Sequence, residues 1–172
     1  MDTTSYDRSW PVTNDPRPSS SISFGMTLVM AIACGVAAAN IYYNQPMLGI
    51  MEAAFPGQVA VIGLVPTATQ LGFAIGLLLL VPLGDRFERR RLILIQLAAL
   101  ALSLAAVALA PDAWSLVAAS AFVGVTSSVA QQIVPFAAEL AAPSRRGATI
   151  GTVMSGLLCG ILLGRVLGGV VG

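Results

Sequence analysis

The sequence predicts an all-α membrane protein with five transmembrane helices, and three observations carry that expectation. The 172-residue chain is 56% hydrophobic and only 10% charged, whereas a soluble domain is about 25% charged. Its apolar residues fall into five long runs, each near the ~20 residues that cross a bilayer. Six charges crowd into the seven residues Asp85 to Arg91, between an uncharged run from Ala53 to Gly84 and another from Leu92 to Ala110. Lipid offers no partners to backbone amides, and the runs are too long and continuous for barrel strands, so helix is the state that fits.

Residues 1–23 are polar and rich in Ser, Pro, Asp and Thr. They lack the basic stretch and early apolar core of a signal peptide and are expected to form a disordered cytoplasmic tail. The first helix is expected from about Phe24 to Asn44, with Pro46 ending it. Pro56-Gly57 marks a loop, and the second helix follows from about Val59 to Leu83. The charged hairpin leads to a third helix from about Leu92 to Ala110. Pro111-Asp112 makes a tight turn into a fourth, from about Trp114 to Leu140. Pro143-Ser144 opens a second turn before the fifth, from about Gly147 to Val171. Pro66 and Pro135 fall inside the second and fourth runs and should bend them, either as tolerated kinks or as flexing points.

Loop charge sets the orientation. Arg86, Arg89, Arg90 and Arg91 lie between helices two and three, Arg145 and Arg146 lie between helices four and five, and Arg8 and Arg17 lie in the tail. The opposite loops carry Glu52 and Asp112 and no basic residue. Positive charge stays on the cytoplasmic side, so the N-terminus is expected inside an inner or plasma membrane that the chain crosses several times. Tyr42, Tyr43 and Trp114 then fall near the outer interface, where amphipathic aromatics are favoured.

The net charge of +1 gives no bulk attraction to nucleic acid. With no His, the usual near-neutral proton relay and the commonest metal ligand are missing. Cys34 and Cys159 lie in apolar runs and read as small hydrophobes. No nucleophile–base set, phosphate-cradling loop or metal cluster supports an enzyme, and no cofactor is implied.

The hairpin Val81-Pro82-Leu83-Gly84-Asp85-Arg86-Phe87-Glu88-Arg89-Arg90 resembles the loop between the second and third helices of the major facilitator superfamily, whose pattern is Gly-x-Leu-Ala-Asp-Arg-x-Gly-Arg-Arg. Leu83, Asp85, Arg86, Arg89 and Arg90 match; Val81 and Glu88 stand where the pattern has glycine. The fifth helix resembles the exporters' Gly-x-x-x-Gly-Pro-x-x-Gly-Gly. Gly160, Gly164, Gly168 and Gly169 are all present, and Arg165 replaces the Pro. Asn40-Ile41-Tyr42-Tyr43-Asn44-Gln45-Pro46 is similar to first-helix ends of sugar-efflux-like and multidrug-like members. The resemblance covers helices one to five. It implies a secondary transporter that exports a small organic solute by alternating access, with protons as the coupling ion, although no residue here identifies the coupling acid.

Topogenesis accounts for the hairpin arginines, and a gating role for Asp85 is the sharper alternative. A carboxylate at a helix end can face the positive N-terminus of another helix, which the resemblance places in the other half of the transporter. Glu139, near the inner end of helix four, is expected to pair with Arg89 or Arg90 in an Asp85–Arg–Glu139 cluster, with Arg145 and Arg146 nearby on the same face. Arg165 lies about 27 Å along the fifth helix at 1.5 Å per residue. It either snorkels to outer headgroups or serves an aqueous cavity as a site for an anionic group. Asn40, Gln70 and Gln131 are further cavity candidates. Gly156, Gly160, Gly164 and Gly168 repeat every four residues and leave one helix face bare for close packing.

Residues 24–172 thus read as part of the N-terminal six-helix bundle of such a transporter. Five helices where the bundle has six suggest a truncated product whose partners are lipid, a solute and a missing C-terminal half or partner subunit. The competing class is a non-transporting membrane piece that acts only in helix packing.

Overall fold

The computed structural model describes residues 22–171. The expected tail, apart from Ile22 and Ser23, lies outside the described residues. The regular elements of the described residues are all helices: α1 Phe24–Tyr42, α2 Leu48–Ala54, α3 Val59–Ile62, α4 Val65–Leu83, α5 Arg89–Ala108, α6 Ala113–Ser127, α7 Ala130–Leu140 and α8 Arg146–Val171. With α3–α4 and α6–α7 each counted as one span, five helices are long and apolar enough to cross a membrane.

Local chemistry sets the ends. Ser23 caps α1 by accepting from the Met26 amide at 3.2 Å. Asp112 caps α6 by accepting from the Ser115 amide at 2.9 Å, and Ser115 Oγ in turn accepts from the Asp112 amide. Such a reciprocal box satisfies two donors that the first turn would otherwise leave open. The chain reverses before α3 at Gly57, whose φ of +82° suits a residue without a side chain.

Two spans differ from the expectation. The second is broken at Gly63-Leu64, and Pro66 becomes the second residue of α4. There the missing N–H costs no hydrogen bond, and the interruption falls in the turn before Pro66, where its ring would meet the carbonyl four residues back. The fourth span breaks at Ser128-Val129, upstream of Pro135. Thr126 Oγ1 and Ser128 Oγ donate to carbonyls three or four residues back, and the backbone tightens to three-residue bonds from Ser128 to Gln132. Back-bonding hydroxyls loosen a helix in this way. The third helix begins at Arg89 and not at Leu92, because arginine is itself a good helix former. The short helix α2 was not expected. Its Leu48 and Met51, with Phe55 just beyond it, pack beside Ile62, Val65, Ala113 and Leu116 and close one end of the bundle.

Two seams of small residues hold the spans together. In the first, α8 lies along α1: a side-chain carbon on Gly156 would overlap the Ala31 carbonyl, and one on Gly160 would overlap that of Gly35. Gly164 continues the seam, since a side-chain carbon there would lie 3.1 Å from the Ala39 Cα, and one on Gly168 would meet Tyr43 and Pro46. In the second seam, α4 lies along α6, with Gly72 on Ala121, Gly124 on Thr69 and Gly76 on Val125. Backbones this close gain dispersion contact that lipid cannot match. Between the seams, Met30, Cys34, Ile93, Leu100, Val123, Ile133 and Val153 form the main apolar cluster. Leu78, Leu102 and Leu162 project outward, as a lipid-facing surface requires.

Gly160→Leu should weaken the fold by about 1–3 kcal/mol or more, since overpacking forces the backbones apart. Gly151, which has open space around it, is the control position. Unfolding of the two variants by SDS in mixed micelles separates them.

Candidate functional site

The charged residues gather at one end of the bundle. Helix α4 stops at Leu83, and the chain turns through Gly84, Asp85, Arg86 and Phe87, each amide bonding three or four residues back. Glu88 then opens α5 without a side-chain cap. Arg89, Arg90 and Arg91 occupy the first turn of α5, where exposed N–H groups favour negative charge. Helix stability alone would not choose three cations there.

Carboxylates offset them. Arg89 Nη2 meets Asp85 Oδ1 at 2.9 Å, and Arg89 Nη1 meets Glu139 Oε1 at 2.6 Å. Arg91 Nε meets Glu88 Oε2 at 2.6 Å. Arg89 therefore joins the α4–α5 turn to α7, where Glu139 sits one residue from the helix end. The cation is the sheltered member, at 20% exposure against 76% for Asp85 and 59% for Glu139. Of the two arginines the sequence left open, Arg89 takes both carboxylates.

The remaining charged residues at this end are separate. Arg86, Arg90 and Arg145 are exposed and form no ion pair among the described residues. Arg146 Nε donates to the Ala138 carbonyl at 3.0 Å, closing one of the open carbonyls at the end of α7. It does not join the Arg89 cluster. Leu83 is partly exposed beside the turn.

Arg165 lies toward the far end of α8. Its guanidinium stands 5.2 Å from the centre of the Tyr42 ring, a cation–π contact of about 0.5–1 kcal/mol at an exposed site. It pairs with no carboxylate among the described residues. Gly164 and Gly168 flank it on the α1 seam, whereas Gly169 meets open space. An apolar groove of about 540 Å³ runs between α1 and α8, bordered by Leu28, Ile32, Val36, Cys159 and Leu163.

The cavity candidates separate too. Gln70 and Gln131 are exposed. Asn40 is buried and donates to its own helix at the Val36 carbonyl, 2.8 Å. With Tyr43, Asn44, Thr69 and Ser120 it borders a cavity of about 10 Å³, at the lower limit for one water. The structure also shows polar contacts whose partners residue type alone did not give. Asn44 Nδ2 donates to Thr69 Oγ1 at 2.8 Å, linking α4 to the residues just after α1. Gln132, adjacent to the exposed Gln131, is buried and donates to the Leu80 carbonyl at 3.0 Å. Periodicity offered the one available signal: Gln132 shares its helix face with Glu139, seven residues on.

Each ion pair of Arg89 should contribute no more than about 1 kcal/mol, because its carboxylate is solvated. Double-mutant cycles of Arg89 with Asp85 and with Glu139, read by unfolding at low and high salt, should give small couplings that shrink with added salt.

Comparison with known proteins bears on the family of the chain. The family model described as Major Facilitator Superfamily matches residues 29–172. The "Uncharacterized transporter YgaY" of Escherichia coli O157:H7 is 43% identical over 141 residues, covering 82% of this chain and 36% of that protein. The "Probable transporter SCO4007" of Streptomyces coelicolor is 34% identical over 140 residues, covering 75% of this chain and 30% of its own. The chain thus spans about a third of the length of the curated relatives it matches. No solved structure matches it. Five apolar spans, the Asp85–Arg90 hairpin and a family match across nearly all the described residues lead to one conclusion: the chain is an integral membrane protein that belongs to the major facilitator superfamily.

Proposed function

We propose that this chain is the N-terminal bundle portion of a secondary transporter that exports a small organic solute by alternating access, with proton coupling. The observation that carries the proposal is the Arg89 junction, which ties the turn after α4 to the end of α7 through exposed carboxylates. Family membership and the transporter names of the two relatives support it.

Alternating access rocks one bundle against another around a site near the midplane. A gate between bundles needs contacts that form and break at little cost. Asp85 suits that work: one oxygen binds Arg89 while the side chain stays 76% exposed, so it can also meet the N-terminus of a helix in a second bundle. Arg86 and Arg90, exposed and without ion pairs among the described residues, hold this end at the cytoplasmic surface by the positive-inside bias. The N-terminus then lies on the same side.

Arg165, at the opposite side of the bilayer, is the group for an anionic part of the solute. Its guanidinium rests on Tyr42 and is not spent on a carboxylate among the described residues. Gln70 and Gln131 are exposed and offer neutral hydrogen bonds to a solute.

Asp85→Asn should lower transport in everted membrane vesicles by about tenfold, ~1.4 kcal/mol on the limiting barrier, with insertion unchanged. Unaltered transport in that variant removes the gate. Arg165→Ala should weaken binding of anionic solutes by about tenfold or more, the scale of a lost charge-assisted hydrogen bond, and leave neutral solutes unaffected. A general fall in protein abundance would instead assign Arg165 to folding.

A further inference from the structure

The C-terminal turn of α4 is tightened. The Gly84 amide bonds back to Val81 at 3.1 Å, and the Asp85 amide bonds to Pro82 at 3.2 Å. In a continuing α-helix the Gly84 amide would have served the Leu80 carbonyl. The tightening frees that carbonyl, and Gln132 of α7 fills it from 52 positions along the chain. This is a long reach for a cap. Helix ends normally find local partners, water or a neighbouring glycine turn.

Gln132 is only 2% exposed. Seven residues on, Glu139 holds Arg89 of α5. The two side chains share one face of α7 and take hold of the two sides of the α4–α5 turn. Gln132 fixes where α4 ends, and Glu139 fixes where α5 begins. Gly84 sits between them: a side-chain carbon there would lie 3.7 Å from Gln132 Oε1 and 3.7 Å from Arg89 Nε. Gln132 Oε1 is buried without a hydrogen-bond partner among the described residues. Arg89 Nε makes no hydrogen bond among the described residues, since Arg89 uses its two Nη atoms on the carboxylates. The bare Gly84 therefore leaves a notch bordered by the Gln132 oxygen and the Arg89 Nε donor, each without a hydrogen bond among the described residues.

We infer that Gln132 is a positioning residue, which locks the end of α4 to α7 so that the turn bearing Asp85 and Arg89 moves with α7 as one unit. The exposed ion pairs of Arg89 are weak by themselves. The buried amide, shielded from water and salt, supplies the part of the clamp that survives when Asp85 leaves Arg89 for another partner. Gly84 keeps the notch open, so that Arg89 can swing its Nε toward Gln132 Oε1 when Asp85 departs. The use of such a unit in a gate rests on the transport proposal; the clamp itself does not.

The test is hydrogen–deuterium exchange of the chain in lipid nanodiscs, and it needs no transport. Gln132→Met keeps the volume and removes both polar atoms. Exchange of the amides at Gly84 to Phe87 should rise about tenfold, the scale of one buried hydrogen bond lost, while amides in the middle of α1 and α8 stay unchanged. Gln132→Asn keeps an amide but falls short of Leu80, and the same local rise is expected. If Gln132→Met speeds exchange everywhere, the bundle has loosened and Gln132→Asn decides. Unchanged exchange at Gly84 to Phe87 in a folded variant overturns the clamp. Loss of the gate in the Asp85→Asn transport assay would leave this outcome untouched, so the two proposals fail separately.

Discussion

Close backbone contact between helices is the constraint on which the rest of this structure depends. Inside lipid the hydrophobic effect does not draw helices together, because the tails are as apolar as the side chains. Association must come from dispersion and from the few polar contacts available. The glycines at 156, 160 and 164 let α8 lie on Ala31, Gly35 and Ala39 of α1, and the glycines at 72, 76 and 124 do the same for α4 and α6. With those two pairs set, α5 and α7 fill the remaining sides, and the apolar cluster around Cys34, Val123 and Ile133 forms between them.

The same constraint governs the polar residues. Most hydroxyls bond to their own helix, as Thr69, Ser103 and Thr126 do. A few side chains cross between segments, and they do so where regular helix fails. Asn44 reaches Thr69 just beyond the end of α1, and Gln132 reaches Leu80 where α4 tightens. Gln96 follows neither course. It is buried, and neither of its amide atoms has a partner among the described residues. Ile93 and Leu100 flank it on α5 and share a cluster with Val123 and Ala130, which flank the similarly unmatched Ser127 on α6.

Charge is arranged against local helix preference at one end. Three arginines at the start of α5 oppose its dipole, and the carboxylates of Asp85, Glu88 and Glu139 offset them through exposed, adjustable pairs. Sequences that break a local rule tend to do so at functional or strained sites. Here the broken rule coincides with the hairpin whose residues resemble the family pattern.

The number of spans, their approximate extents and the crowding of charge at Asp85–Arg91 were legible in the sequence. Each depends on run length and composition, which need no knowledge of neighbours. The four-residue glycine spacing of α8 also marked a packing face by itself, because spacing on a helix determines which residues share a side. Tertiary structure decided what that face packs on, which of Arg89 and Arg90 takes the carboxylates, and which of Gln131 and Gln132 turns inward. It also placed a break in the fourth span at the hydroxyls near Ser128 and one in the second just before Pro66. Those outcomes turn on distances between residues far apart in the chain, such as the 52 positions between Leu80 and Gln132. Local pattern determines which side of a helix a residue occupies, but the partner it meets there is set only when the helices pack.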